Sequence, residues 1–359
     1  MSGGQYGRGK APERRCLPVE QWPASDRVRW LKALEPADVL DEGGARANHT
    51  VISNTKAAKG YGRWITYLGR HDAAALCLPP EERITAERVR AYATHLASLG
   101  NSTQTILARL QELGEVAHIM APGRRWSIIH RIASKVRARH VPARSKRHLR
   151  HSNELLALGM TLMDQAEALE ELRAAMTYRD GLIIAFLALV PLRRRNLAEL
   201  RLGISLRRQA SHWLVWLSPE ETKTHAAYEA PVPAALTERL DRYVSHYREL
   251  LRARTGRWTK PLESALWASK DGSPMTQMAI YDRIRACTRE AFGEAINPHL
   301  FRDAAATTLA IADPARVRVA APLLGHRTFS TTERHYLHAQ ATISHAEFVR
   351  VVADAKRRK

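Results

Sequence analysis

The stretch NPHLFRDAAATTLA, residues 297–310, carries the strongest indication of the fold. Asn297 is a residue type that caps helices and Pro298 fits the first helical position, so the stretch predicts a helix. His299 and Arg302 are three residues apart and therefore share a face at the start of that helix. A histidine and an arginine beside a positive helix terminus can bind a pair of anionic oxygens. The alternative is an exposed helix face that carries both residues without a function.

A second stretch, LLGHRTFSTTERHYLHA at residues 323–339, contains two more candidates. A helix that ends at Gly325 leaves His326 just beyond its last turn. Ser330 begins the pattern of a capping box, which predicts a short helix that presents Tyr336. Taken singly, such a histidine is usually a cap residue, and such a tyrosine usually packs in a core or an interface.

Two further elements precede these stretches. PLRRRNLAEL, residues 191–200, places three arginines directly after an apolar helix. HWLVWL, residues 212–217, predicts a buried strand, and residues 228–233 predict its antiparallel partner, with Lys223 in the polar turn between them. Arginines in series and a turn lysine are ordinarily surface charge. The ordered occurrence of all these elements in one domain is what favours a functional site.

The order of apolar and charged segments predicts two folded domains. Apolar periodicity and capping residues indicate helices over residues 51–68, 85–100, 102–114, 126–136, 155–172 and 182–190. We expect an N-terminal arm over residues 1–45, a helical domain over 46–138, a basic linker over 139–152, and a larger domain over 153–359 that is mainly α with a small antiparallel sheet. The linker is either a solvated loop or a strap along a phosphate backbone.

Composition indicates the class of partner. The 359 residues include 56 Lys and Arg against 36 Asp and Glu, a formal charge of +20, which attracts polyanions such as nucleic acid. Three widely spaced cysteines predict neither a disulfide framework nor a zinc cluster. No apolar stretch is long enough for a membrane span, and the first twenty residues lack the apolar centre of a signal peptide. We therefore expect a cytoplasmic, nucleoid-associated protein.

These motifs together resemble those of the tyrosine recombinases, also called phage-type integrases. The similar pieces are L-R-x-x-N-L at residues 192–197, the lysine of the strand turn, H-x-x-R at 299–302, L-G-H at 324–326 and T-T-E-R-H-Y near the end. Residues 153–359 are similar to the catalytic domain of that family and residues 46–138 to its helical core-binding domain. The resemblance implies an α+β fold arranged as a two-domain clamp.

The resemblance also implies a set of catalytic residues: Arg193, Lys223, His299, Arg302, His326 and Tyr336. Tyrosine would be the nucleophile, the arginines would bind phosphate oxygens, lysine would be the general acid, and the first histidine could accept the tyrosine proton. The second histidine would donate to the phosphate. Candidate contacts to the DNA backbone are Arg109, Arg137, Arg139, Arg144, Lys146 and Arg147.

The chain departs from the family pattern in three places. Pro191 stands where the family often has glycine, and Asn196 stands where it often has an acidic residue. The interval from His326 to Tyr336 is one residue longer than is commonest.

The implied activity is site-specific recombination or integration, in which double-stranded DNA is cut and rejoined through a covalent 3′-phosphotyrosine without metal, ATP or another cofactor. The helix predicted over 344–359 would join protomers, as a tetramer on DNA, or fold back on its own core. The alternatives are a catalytically inactive DNA-binding regulator, a type IB-like topoisomerase, and a metal-dependent nuclease with His335 and His338 as ligands.

Overall fold

The fold is known from a computed structural model that describes residues 16–38, 43–139, 150–254 and 263–312. The chain divides into two compact units, Met1–Ser145 and Lys146–Lys359. Within the described ranges, no helix combines the length and the apolar character that crossing a membrane requires.

The described part of the first unit is helical. Its helices are α1 (Ala24–Ala33), α2 (Val51–His71), α3 (Pro80–Arg83), α4 (Ala86–Ser98), α5 (Thr103–Met120) and α6 (Ser127–Ala138). Trp64, Tyr92 and Trp126 are among the buried side chains at the centre of this unit. Trp22 and Trp30, from the region expected to form an arm, pack into the same core.

A buried ion pair fixes α1 to the rest of the first unit. The Arg83 guanidinium donates to the Asp26 carboxylate, and both side chains are fully buried. The Tyr61 hydroxyl donates to the same carboxylate at 2.8 Å, and burial raises the pKa of Tyr61 well above its usual value. Arg83 also donates to the carbonyl of Ala75 at 3.1 Å. Because a buried charge without partners is strongly destabilising, this network makes α1 part of the unit.

Capping residues define the helix starts as predicted. The Thr85 side chain accepts from the backbone of Arg88, and Ser102 caps α5 in the same way. The predicted end of α5 at Gly114 is wrong, because the helix continues to Met120. The apolar face continues past the glycine, so burial outweighs the weak helix propensity of that one residue.

The second unit is mainly helical with one small sheet, as predicted. In chain order its elements are α7 (Ser152–Ala166), α8 (Glu171–Leu189), α9 (Arg194–Ala198), β1 (Leu206–Arg208), β2 (Trp213–Leu217), β3 (Tyr228–Pro231), α10 (Ala234–Arg242), α11 (Arg248–Arg252), α12 (Gln277–Phe292) and α13 (Pro298–Ala312). A π-helical turn, Tyr243–Tyr247, joins α10 to α11. The break between the helices expected over 155–172 and 182–190 lies earlier than predicted, because α7 ends at Ala166 and α8 begins at Glu171.

The sheet is antiparallel, with β2 between β1 and β3. Strand β2 buries alternate residues, and its Val215 pairs with Leu206 on one side and Ala230 on the other. The two predicted strands are confirmed, but the sequence analysis missed β1. Only one of its three residues is buried, so it carries almost no apolar signal.

Helix α8 is the centre of the second unit and leads directly to the candidate site. It is buried almost continuously from Tyr178 to Ala188. Gly159 on α7 allows α7 and α8 to approach closely, because a Cβ at Gly159 would lie 2.6 Å from the Gly181 carbonyl oxygen. The position of the segment that follows α8 therefore depends on this contact.

We expect Gly159→Ala to lower the free energy of unfolding by about 1–3 kcal/mol, because the added methyl overpacks the contact between α7 and α8. Gly114→Ala is the matched control, since a Cβ there meets its nearest atom, Ile129 Cγ2, at an ordinary 3.8 Å. The control should be about 0.5–1 kcal/mol more stable than the parent because alanine favours the helix. Urea unfolding of the full chain measures both. Equal effects of the two substitutions would contradict the close approach.

Candidate active site

Arg193 lies where buried structure gives way to the surface. Helix α8 ends at Leu189, and the next residues are buried up to Leu192, which is 3% exposed and packs in the core. Arg193 is the N-cap residue of α9 and has extended backbone angles. The apolar residues on either side therefore fix its backbone, while its side chain is half-buried.

Arg302 is placed by the helix that the sequence predicted. The Asn297 side chain accepts from the backbone of His299 at 3.0 Å and of Leu300 at 3.3 Å, so it caps α13 as expected. The adjacent Phe301 is fully buried in the core. A hydrogen bond of 3.1 Å from the Ser152 backbone to Thr308 Oγ1 links the helix to the start of α7.

The structure brings Arg193 and Arg302 together. Arg302 is only 6% exposed, and its guanidinium donates to the carbonyl of Pro191, two residues before Arg193. Burial, and then the positive charge of Arg193, lower the pKa of Arg302 to about 10. Burial also lowers the pKa of Arg193. Two guanidinium groups from separate elements thus lie in one neighbourhood, where the charge of Arg193 disfavours the charge of Arg302.

Tyr228 is a member of this neighbourhood that the sequence analysis treated only as a strand residue. It lies on β3, opposite Leu217 of β2. Burial raises the pKa of its phenol, and the charge of Arg302 acts in the opposite direction. No motif marks Tyr228, because it is one position in a short strand, and its proximity to Arg302 arises only in three dimensions.

Lys223 lies in the turn between β2 and β3, as predicted, and is exposed. The neighbouring Thr222 is buried and its hydroxyl donates to the carbonyl of Ala226 at 2.8 Å. The side chain of Asn196 on α9 donates through Nδ2 to the carbonyl of Glu221 at 2.7 Å. The base of the lysine turn is therefore bonded to α9, the helix whose N-cap residue is Arg193.

Of the three remaining predicted catalytic residues, one lies within the described ranges. His299 lies in the first turn of α13, three residues before Arg302, and is exposed. His326 and Tyr336 lie outside the described residues.

The predicted DNA contacts fall into three groups. Arg137 and Arg139 are exposed, at the end of α6 and directly after it. The Arg109 guanidinium donates to the buried carboxylate of Glu112, so its charge is partly compensated. The other candidates, Arg144, Lys146 and Arg147, lie outside the described residues.

In the part of the chain that the structure describes, no three or more His, Cys, Asp or Glu side chains come together as a possible set of metal ligands. His335 and His338 lie outside those ranges.

Comparison with known proteins identifies a family and a similar fold. The family model described as "Phage integrase family" matches residues 160–342, just over half of the chain. The fold is similar to that of the XerH site-specific recombinase bound to palindromic difH substrate (14% identity, TM-score 0.55, covering 93% of this chain and 99% of that chain). It is also similar to the Tn1549 transposon integrase in complex with transposon right end DNA (16% identity, TM-score 0.58, covering 90% and 98%). No curated protein matches the sequence.

We expect Arg302→Met to raise the free energy of unfolding of the DNA-free protein by about 1 kcal/mol or more, because it removes a charge that burial and the charge of Arg193 both disfavour. The pKa of Arg302 is lowered in the folded state, so the penalty is fully present at neutral pH and is relieved only above about pH 10. Urea unfolding at pH 7 measures the difference.

The matched control is Arg179→Met, at a second buried arginine of the same unit. Arg179 donates to Asp180 at 2.7 Å and to the carbonyl of Ala268 at 2.9 Å, so its loss should lower the free energy of unfolding by about 3 kcal/mol. Equal destabilisation by both substitutions would contradict the repulsion between Arg193 and Arg302.

Proposed function

Because this chain belongs to the phage integrase family, the tyrosine-type site-specific DNA recombinases, we propose that it cuts and rejoins double-stranded DNA through a covalent 3′-phosphotyrosine intermediate, without metal or ATP. The observation that carries the proposal is that the Arg302 guanidinium donates to the carbonyl of Pro191, two residues before Arg193, where the charge of Arg193 lowers the pKa of Arg302. Two guanidinium groups that repel each other in a largely buried site are stabilised when an anion binds between them, and a DNA phosphate is an anion of matching geometry.

The proposed reaction begins with attack by Tyr336 on the scissile phosphate. A bond forms between its phenol oxygen and phosphorus, and the bond from phosphorus to the 5′-oxygen breaks, so the phosphodiester energy is kept in the protein–DNA bond. Arg193 and Arg302 donate to the non-bridging oxygens, whose negative charge increases in the transition state. Rejoining reverses these steps with a 5′-hydroxyl as the nucleophile.

Three further side chains are proposed to move or hold protons. Lys223 gives a proton to the leaving 5′-oxygen, and its place on an exposed turn supports this role because it can reach a bound strand. His299 accepts the proton of Tyr336, and its position one helical turn from Arg302 supports a role beside the same phosphate. His326 donates to the phosphate.

The proposed partner is double-stranded DNA, and the net charge of +20 supports that partner. Two solved structures with a similar fold, the XerH site-specific recombinase with difH substrate and the Tn1549 transposon integrase with transposon right end DNA, contain bound DNA. We propose that Arg137 and Arg139, both exposed, contact backbone phosphates. A tetramer on DNA, assembled through the helix predicted over 344–359, and association with the nucleoid are part of the same proposal.

The first test is covalent attachment to a DNA duplex that carries a nick next to the cleavage point, so that the released fragment is lost and the intermediate accumulates. Tyr336→Phe should abolish attachment and retain the mobility shift of bound DNA, because only the nucleophilic oxygen is removed. Tyr281→Phe is the matched control and should remain active. The Tyr281 ring stacks with Arg194 and Arg285, and phenylalanine preserves that ring.

The outcomes separate the proposal from its alternatives. Bound DNA without any covalent product from the parent protein would identify a DNA-binding regulator. Covalent attachment and relaxation of supercoiled DNA without exchange between two labelled duplexes would identify a topoisomerase. Cleavage that excess chelator abolishes would identify a metal-dependent nuclease.

The second test measures how much the arginine pair contributes. Arg193→Ala should slow single-turnover cleavage by about 10²–10³-fold, the usual loss for one preorganised oxyanion donor. Arg195→Ala, two residues away, removes an exposed arginine whose guanidinium bonds the Glu199 carboxylate at 3.0 Å, and should change the rate by less than about tenfold. Similar losses in both variants would indicate that these arginines only add surface charge.

A further inference from the structure

Asn196 makes a buried hydrogen bond between two parts of the proposed site. It lies on α9, three residues after Arg193, and is 6% exposed. Its Nδ2 donates to the backbone carbonyl of Glu221 at 2.7 Å, across 25 residues of sequence. Glu221 is two residues before Lys223. One side-chain amide therefore joins the helix of the phosphate-binding arginine to the turn of the proposed proton donor.

The segment between that bond and the end of the turn is internally constrained. The Glu221 carboxylate accepts from the Ser218 backbone at 2.9 Å, which fixes the start of the segment. The Thr222 hydroxyl donates to the Ala226 carbonyl at 2.8 Å and accepts from the Ala226 backbone N–H at 3.2 Å, which closes the turn. His225 has a φ of +51°, the left-handed conformation that such a closed turn requires. Movement at Glu221 is therefore passed to Lys223.

The chemistry of the bond requires a donor at position 196. The partner is a carbonyl oxygen, and an ionised carboxylate in place of the amide would bring two acceptors together. The sequence has asparagine where the family often has an acidic residue. In this chain the amide makes a contact that an ionised acid cannot make.

We infer that Asn196 is a positioning residue for Lys223, whose amide aligns the lysine turn with the helix of Arg193, so that the proton donor and the phosphate-binding arginines act on the same phosphate. The inference rests on the proposed function. Lys223 gives its proton to the leaving 5′-oxygen as the bond from phosphorus to that oxygen breaks. Asn196 itself neither donates nor accepts a proton in the reaction.

The experiment compares two leaving groups with Asn196→Asp. The probes are a duplex with an ordinary phosphate and one with a 5′-bridging phosphorothiolate, in which sulfur replaces the leaving oxygen. A thiol has a pKa of about 8.5, whereas a leaving alkoxide resembles hydroxide, whose parent water has a pKa of about 15.7. Sulfur therefore leaves as a thiolate with the bonding electrons and needs no proton from Lys223.

With the ordinary phosphate, Asn196→Asp should slow single-turnover cleavage by about 10–100-fold, part of the usual contribution of a general acid. With the sulfur leaving group, its rate should be within about threefold of the parent rate. Lys223→Ala is the benchmark and should show the same recovery. A loss of equal size on both substrates, or no loss on either, would overturn the inference.

Matched variants separate positioning from folding. Asn101→Asp makes the same change at an amide that donates to the Leu96 carbonyl at 2.8 Å in the first unit, and any loss it causes should persist with sulfur. Thr222→Val removes the hydroxyl that closes the turn and should show the same recovery as Asn196→Asp, which keeps the test informative if the aspartate variant does not fold. Recovery of Lys223→Ala without recovery of Asn196→Asp would refute the inference alone, while absence of a covalent product from the parent on either substrate would refute the proposed function itself.

Discussion

The second unit is organised by the need to hold two positive charges close together. Arg193 and Arg302 come from elements more than a hundred residues apart, and burial and mutual repulsion both lower the pKa of Arg302. Without an anion this arrangement is unfavourable, so the surrounding fold has to stabilise it. It does so with buried structure on both sides: Leu192 packs in the core before the first arginine, and Phe301 does so before the second.

Around the arginine pair, the supporting structure is buried, whereas the side chains proposed to transfer protons are exposed. The backbone of Arg193 follows the buried helix α8, and the carbonyl of Pro191 accepts from Arg302. His299 and Lys223, which are proposed to handle protons, are exposed. Proton donors and acceptors must reach a substrate that arrives from solution, whereas charge stabilisation works best where groups are preorganised and partly dry. The fold satisfies both demands.

Much of the fold and part of the candidate site could be predicted from the sequence, because helix caps, strands and turns depend on local residue types and spacing. The cap at Asn297, the buried strand at 212–217 and the lysine in the following turn follow from residue types and spacing, and the structure has all three. What could not be predicted depends on tertiary contacts. The effect of the Arg302 charge on Tyr228 arises only in the tertiary structure, since the two residues are far apart in the sequence. The bond from Asn196 to Glu221 spans segments whose relative position no local pattern encodes. The short strand β1 has only one buried residue, so it leaves no period in the sequence.

The buried pair of Asp26 and Arg83 bears on how this protein could have acquired its amino-terminal region. A segment that is joined by a flexible linker can be replaced in evolution, since the rest of the protein makes no buried contact with it. Helix α1 is different, because deleting or replacing it would strand a guanidinium in an apolar interior. A relative that lacks this helix would also need a substitution of the arginine at position 83. We therefore expect the two positions to be inherited together.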